Sequence, residues 1–305
     1  MLGFLCNLHN GTATSIIPAA NTDDYFVSRF IPTTSPSSSC SPHLHRGARF
    51  VPKSPGQYQR SRGWRALDSH HGRVLLHSLP SKITREMVVW DPVTDKQFLL
   101  PELPSKTYPY WHGFNVAVLC DDHGCNHLDC HGGLFTVVFV GSLTQGGMFA
   151  SVYSSETGAW SYMSSSMNIG LFGCVEGTPD VLVSNAVYFV LEEDPKILKC
   201  DLTTGGLSEI KDSHYYNDDA RWFEDRVVEL ETLLPINALS MSPHVMGFAD
   251  GAGLVILRAD DGFFIVNPKS GQVKEIQEGG TEGGTIRKVV PYISFCTPQL
   301  GYSSA

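Results

Sequence analysis

Charge is scarce in this chain. Of its 305 residues only 17% are Asp, Glu, Lys or Arg, against roughly a quarter in average soluble proteins. That scarcity excludes a coiled coil, which draws about half its residues from Ala, Glu, Lys, Leu and Arg. A basic excess is lacking too: 22 Lys and Arg face 31 Asp and Glu, a net charge of −9. An acidic body repels phosphate backbones, so nucleic acid is not an expected partner. What positive excess exists gathers in residues 1–67, which hold seven basic and two acidic side chains. Long hydrophobic runs are missing. The longest strongly apolar one, Leu134 to Leu143, is about half the ~20 residues that a membrane-crossing helix needs, so no membrane partner is expected. The start, Met1-Leu-Gly-Phe-Leu-Cys, has neither a positive n-region nor a full apolar h-region and does not read as a secretory signal. Without export, the eight cysteines are expected to stay reduced. Asn10-Gly-Thr is then a silent glycosylation sequon. The expected location is cytoplasmic, nuclear or both.

What is present is apolar and full of turns. A hydrophobic share of 42% is ample for a core and excludes wholesale disorder. The 29 Gly and 18 Pro punctuate it densely. Residues 21–63, rich in Ser, Pro, Arg and His, cannot bury enough surface to fix themselves and are expected to form a flexible loop. From Trp64 onward, β-branched and aromatic runs of four to eight residues alternate with turn clusters. Examples are Arg73-Val-Leu-Leu-His, Glu86-Met-Val-Val-Trp, Leu134-Phe-Thr-Val-Val-Phe-Val, Ala186-Val-Tyr-Phe-Val and Phe263-Phe-Ile-Val. Short runs bounded by Gly, Pro, Asp or Asn are strands rather than helices.

Aligning the turns uncovers a repeat. Four strands run into similar five-residue tips: Asp91-Pro-Val-Thr-Asp, Ser154-Ser-Glu-Thr-Gly, Asp201-Leu-Thr-Thr-Gly and Asn267-Pro-Lys-Ser-Gly. A short acceptor at the first position can bind amides two or three residues on. Gly at the last can take positive φ and close a hairpin. The tips are 63, 47 and 66 residues apart, close to one four-stranded unit of about 40–50 residues plus insertions. Such units stack radially. The expected fold is therefore all-β, a β-propeller of kelch-like blades, about six in number with the count open, in one domain over residues 1–297 and a flexible tail at 298–305. A β-sandwich with coincidentally similar hairpins is the rival. One segment breaks the pattern: residues 217–234 place Phe223, Val227, Leu230 and Leu234 on one helical face, with Asn217 or Asp218 as cap and Pro235 as stop. A helical insertion packed on the propeller is expected there, a docking helix being the alternative.

Several of these segments carry a family resemblance. Trp64-Arg-Ala-Leu-Asp-Ser-His-His-Gly-Arg-Val-Leu-Leu, Val88-Val-Trp-Asp-Pro-Val-Thr and Ala117-Val-Leu-Cys resemble the substrate-recognition region of plant F-box proteins, especially the large grass group. Gly124-Cys-Asn-His-Leu-Asp-Cys-His, Val152-Tyr-Ser-Ser-Glu-Thr-Gly-Ala-Trp-Ser and Val289-Val-Pro-Tyr-Ile-Ser-Phe continue the likeness. It covers residues 64–210 well and 245–297 less fully, and Leu2-Gly-Phe-Leu and Arg29-Phe-Ile-Pro look like the family's first propeller strands. The resemblance implies a propeller-like domain that holds an unknown protein substrate for a cullin–RING ubiquitin ligase. In that family an N-terminal F-box docks on a Skp-type adaptor. No Leu-Pro-rich helical segment of that kind is legible in this sequence, so adaptor binding is expected only of a longer form. A degenerate paralogue without a ligase role is the alternative.

The densest reactive cluster is Cys120, His123, Cys125, His127, Cys130 and His131. Thiolate and imidazole suit tetrahedral zinc. Structural zinc sites, however, usually draw on two separated knuckles, and this is one continuous run, so a surface loop between two strands is expected and no metal. His70-His71 before Gly72 would point to opposite faces of a strand and suits a turn better than a ligand pair. No Gly-x-Ser-x-Gly elbow is present. Paired carboxylates such as Glu192-Glu193, Asp218-Asp219 and Asp260-Asp261 sit in turns or on the acidic helix. The Gly279–Thr285 stretch lacks the Lys-Ser/Thr of a phosphate-binding loop. No catalytic residue and no cofactor is therefore expected, although a propeller-based metal- or small-molecule-dependent enzyme is a further alternative. What remains is binding, for which the aromatic clusters Tyr108, Tyr110, Trp111, His112 and Tyr215, Tyr216, Trp222 are the candidate contact residues, being types that carry interface energy.

Overall fold

A computed structural model describes residues 2–10, 25–32, 63–78, 86–103, 111–121, 130, 132–143, 147–167, 180–183, 185–191, 197–210, 230–234, 243–249, 252–259, 262–276 and 285–293. In chain order the elements begin with β1 (Leu2–Asn10) and β2 (Tyr25–Pro32). Next come β3 (Gly63–His70), β4 (Arg73–Ser78), β5 (Met87–Asp91) and β6 (Lys96–Leu99), then β7 (Trp111–Cys120), β8 (Phe135–Leu143), β9 (Met148–Ser154) and β10 (Ala159–Met167). A third set is β11 (Asp180–Val183), β12 (Ala186–Val190), β13 (Ile197–Asp201) and β14 (Gly206–Ile210), followed by the single helical turn α1 (Leu230–Leu233). The chain ends in β15 (His244–Ala249), β16 (Leu254–Ala259), β17 (Gly262–Asn267) and β18 (Gln272–Ile276), and in β19 (Thr285–Ile293).

Each set of four is an antiparallel meander, and β19-β1-β2 forms a fifth sheet from the two ends of the chain. A two-residue parallel bridge, Phe26 to Gly63 and Val27 to Trp64, joins that fifth sheet to β3. The first strands of the meanders stand around a common axis: β3 lies against β7, β11 against β15, β15 against β19, and β19 returns to β3. Blades two and three meet through β10 and β14. This is a five-bladed β-propeller. Five replaces the expected count of about six, because β19 touches both β15 and β3 and leaves no place for another blade between them. The stretch 21–63, expected as a loop, contains β2, whose Phe30 and Ile31 are buried; its other residues lie outside the described ones except Gly63, where β3 begins. The tail 298–305 lies outside them as well.

Side-chain alternation explains the radial stacking. On β8, Val137 and Phe139 pack toward blade one, whereas Val138 and Val140 pack toward Val187, Phe189 and Leu198 of blade three. On β5, Val89 faces blade two and Trp90 faces Leu5, Phe30 and Tyr292 of blade five. On β17, Phe263 and Ile265 meet Phe4, Cys6 and Ile31, while Phe264 and Val266 meet Leu230, Leu233 and Leu234 of the α1 turn. Strands β4 and β5 are buried at every position. A sheet apolar on both faces needs neighbours on both, which excludes the sandwich. Of the segment 217–234, the described turn packs on blade four, and residues 217–229 lie outside the described ones.

The four tips fold as their sequences specify, each between the third and fourth strand of a blade. Asp91 Oδ1 accepts from the amides of Val93 (2.9 Å) and Thr94 (3.2 Å), Asp201 Oδ1 from Thr203 (3.1 Å) and Thr204 (3.0 Å), and Asn267 Oδ1 from Lys269 (2.9 Å) and Ser270 (3.1 Å). Ser154 Oγ takes only the Glu156 amide, at 3.2 Å. The fifth positions all have positive φ: Asp95 57°, Gly158 66°, Gly205 70° and Gly271 69°. A side chain with a Cβ pays for this backbone region in steric strain, so Gly205→Ala is expected to lower stability by about 1–2 kcal/mol in denaturant unfolding while leaving the far-UV spectrum unchanged.

Ring closure has two parts. Strand β1 pairs along its length with β19, Leu5 opposite Val290, which ties the first described residues to the last. Blade five is then fastened to blade one by Asn7, fully buried at 0% exposure. Its Nδ2 donates to Ala66 O at 2.7 Å and its Oδ1 accepts from Ala66 N at 2.9 Å. Ser28 completes the node, its hydroxyl donating to Asn7 Oδ1 and accepting from Ala66 N. A buried backbone group stripped of its partner carries a desolvation cost of about 1–3 kcal/mol. Asn7→Leu, which strands the Ala66 carbonyl, is therefore expected to destabilise the fold by at least about 2 kcal/mol, read as a lower denaturant midpoint.

Candidate functional site at the channel mouth

The inner strands of four blades converge on a cleft. Asp68 and His70 from β3, Asp180 from β11, Met246 to Phe248 from β15 and Lys288 to Pro291 from β19 line it, and it is small and open to solvent. Gly247 lets β15 approach closely, since a Cβ there would sit 3.1 Å from Pro291 Cδ.

Local geometry places the polar groups. His71 (φ 52°) and Gly72 (φ 77°) form the two-residue turn between β3 and β4, with His70 opposite Arg73; positive φ at both positions is what a tight hairpin of this hand demands. The register of β3 and β4 slips between Ala66 and Asp68, and such a bulge re-aims the residues beyond it. Asp68 and His70, two apart, then share a side: His70 Nδ1 lies 3.1 Å from Asp68 Oδ2, which also accepts the Val118 amide of β7 at 2.7 Å. Asp180 begins β11 and brings its carboxylate to the same spot, so that one donor atom from each of the three residues lies within 4.8 Å of the others. The two histidines divide their work. His71 Nδ1 accepts from the Cys120 amide at 3.2 Å, on a ring inclined 63° to that of His70.

Burial is the largest influence on Asp68 and opposes its ionisation. The His70 charge and hydrogen bond, the Val118 amide and the charge of Lys288 together outweigh it and hold the carboxyl below its ordinary value of 3.8. Elsewhere, burial and then the neighbouring Asp201 charge push the Cys200 thiol up to about 12, which makes it a core side chain rather than a nucleophile. Glu86 is raised by partial burial and then by the charge of Glu102.

Most residues expected from the sequence to form a site lie outside the described ones: Tyr108, Tyr110, Tyr215, Tyr216 and Trp222, and His123, Cys125, His127 and His131 of the Cys/His run. Trp111 opens β7 opposite Leu143, and His112 stands at the register shift before Gly113, their side chains being outside the described atoms. Cys120 ends β7 half-buried, Cys130 is buried, and neither forms a disulfide. The channel cluster is absent from the sequence expectations. Asp68-x-His70 on one strand face was the available signal; Asp180, 110 positions on from His70, had none.

No family model matches the chain, and no curated protein is similar to it. Among solved structures, a chain of the nidogen/laminin complex is similar at 8% identity and a TM-score of 0.45, covering 97% of this chain and 100% of that one. TolB from Acinetobacter baumannii gives 12% and 0.43, over 95% of this chain and 66% of TolB. The WD40 domain of SCAP from fission yeast gives 11% and 0.33, over 90% and 54%. Likenesses this distant add nothing to the fold read from the strand ring and assign no activity.

Because the folded-state value of Asp68 is depressed, its contribution is fully present above the ordinary carboxyl value and is lost as pH falls through the folded one. Lowering the pH from 7 to 3 is therefore expected to reduce the Tm of the wild type more steeply than that of Asp68→Asn below about pH 4. Parallel curves in a pH-resolved melting series would remove Asp68 from the acid response.

Proposed function

We propose that this chain is a protein-recognition propeller that acts by binding, as the substrate-holding half of an F-box-type ubiquitin-ligase receptor. The observation that carries the reading is an apolar surface on the rim of blade one. Phe98 and Leu99, on β6, are 46% and 54% exposed, and β6 is the last strand of its sheet, with no further strand beside it among the described residues. The Phe98 ring lies 5.2 Å from Phe135, and Leu134, next in sequence to Phe135, is also exposed. Phe98 and Leu99, adjacent on the strand, stand on opposite faces of this open edge, which suits an extended polypeptide partner whose backbone pairs with the edge while its alternate side chains reach one face and then the other. The resemblance of residues 64–210 and 245–297 to the grass F-box group supports the narrower role, and kelch-like blades belong to that same narrower reading. On this reading the Skp-type adaptor binds a longer form that carries an F-box.

The test has two arms. Tagged chain, and the product of any longer transcript from the same locus, are mixed with a Skp-type adaptor; retention by neither form ends the ligase assignment. Separately, proteins captured reproducibly from extract by wild type are expected to drop about tenfold or more with Phe98→Asp combined with Leu99→Asp, at an unchanged melting temperature. Equal capture by both would move the binding face away from blade one.

A further inference from the structure

We propose that Asp68, His70 and Asp180 at the channel mouth hold one divalent cation of the manganese or zinc type, which links blade one to blade three across the axis. The donor set is two carboxylates and an imidazole, a hard-to-borderline combination that suits Mn²⁺, Fe²⁺ or Zn²⁺ and not the soft ions that thiolates select. Its spacing fits. The 3.1 Å between His70 Nδ1 and Asp68 Oδ2 is close to the separation that two donors adopt when each is about 2.1 Å from one ion at an angle near 95°. With one donor atom of each residue within 4.8 Å of the others, an ion fits between them after small side-chain adjustment, and water from the cleft completes its coordination.

The surroundings point the same way. Asp68, only 5% exposed, is held in place by the Val118 amide, and a carboxylate oriented by a hydrogen-bond donor is the usual support for a metal ligand. Lys288 shares the cleft and offsets one of the two carboxylate charges. The other negative charge and the His70 ring remain for the cation. The site is independent of the rim of blade one, so its failure leaves the protein-binding reading untouched.

Chelator-treated full-length protein titrated with Mn²⁺, followed by the loss of the free-ion electron paramagnetic resonance signal, tests the inference. Mn²⁺ is chosen because it avoids the thiolates of the Cys/His run at 120–131, and the variants below separate this cluster from the carboxylates of that run. One equivalent is expected to bind and to raise Tm by about 4 °C at a hundredfold excess over Kd. Asp180→Asn and His70→Gln, each checked for a native far-UV spectrum, are expected to weaken binding at least about tenfold, as loss of one ligand does. Wild type that takes up no Mn²⁺ below millimolar concentration overturns the proposal without recourse to any variant. Equal binding by wild type and the folded variants overturns it too, by placing the ion elsewhere.

Discussion

A sheet that is apolar on both faces cannot stop stacking until the stack returns to its beginning. That constraint governs this molecule. Strands such as β4, β5 and β8 send alternate side chains to opposite neighbours, so each blade is stable only between two others. The pairing of β1 with β19 ends the series by supplying the last blade from both ends of the chain. Blade four shows the rule from its other side: the face turned away from blade five is covered at Phe264 and Val266 by the α1 turn.

Closure also places the polar groups. Inner strands carry backbone edges that face the axis without a continuous ladder, and these groups need partners. Asn7 satisfies Ala66 across the junction of blades five and one, and Asp68 satisfies Val118 across the junction of blades one and two. One element of the Asp68 cluster is thus structural in origin. A carboxylate recruited to hold a neighbouring blade stands beside an imidazole and a second carboxylate, at the point where four of the five blades reach the cleft. The same geometry that stabilises the ring assembles a potential ligand set.

The rim obeys different rules. Outer strands such as β6 have one paired edge and less burial, and Phe98 and Leu99 are exposed there at a position where solvated side chains would suffice for folding. The Phe98 ring rests against Phe135 from the rim, whereas the buried Cys200, with its raised thiol, and the fully enclosed Trp90 belong to the core.

Local chemistry made the tips, the strands and the all-β class legible from the residues themselves. A side-chain acceptor at the first position and a Gly at the last act within five residues and need no tertiary partner, which is why Asp201 and Gly205 fold as their sequence reads. The alternation of apolar residues likewise shows in Phe263-Phe-Ile-Val that both faces are buried. The number of blades was not legible, since it depends on where β19 meets β15 and β3, and the low-complexity surroundings of β2 hid a strand whose Phe30 is buried against blade one and whose Ile31 is buried against blade four. Nor was the cluster of Asp68, His70 and Asp180, for residues 110 positions apart become neighbours only through the closing of a ring. Sequence determined the pieces, whose interactions are short in range; tertiary structure decided the count and the site, because both are properties of closure.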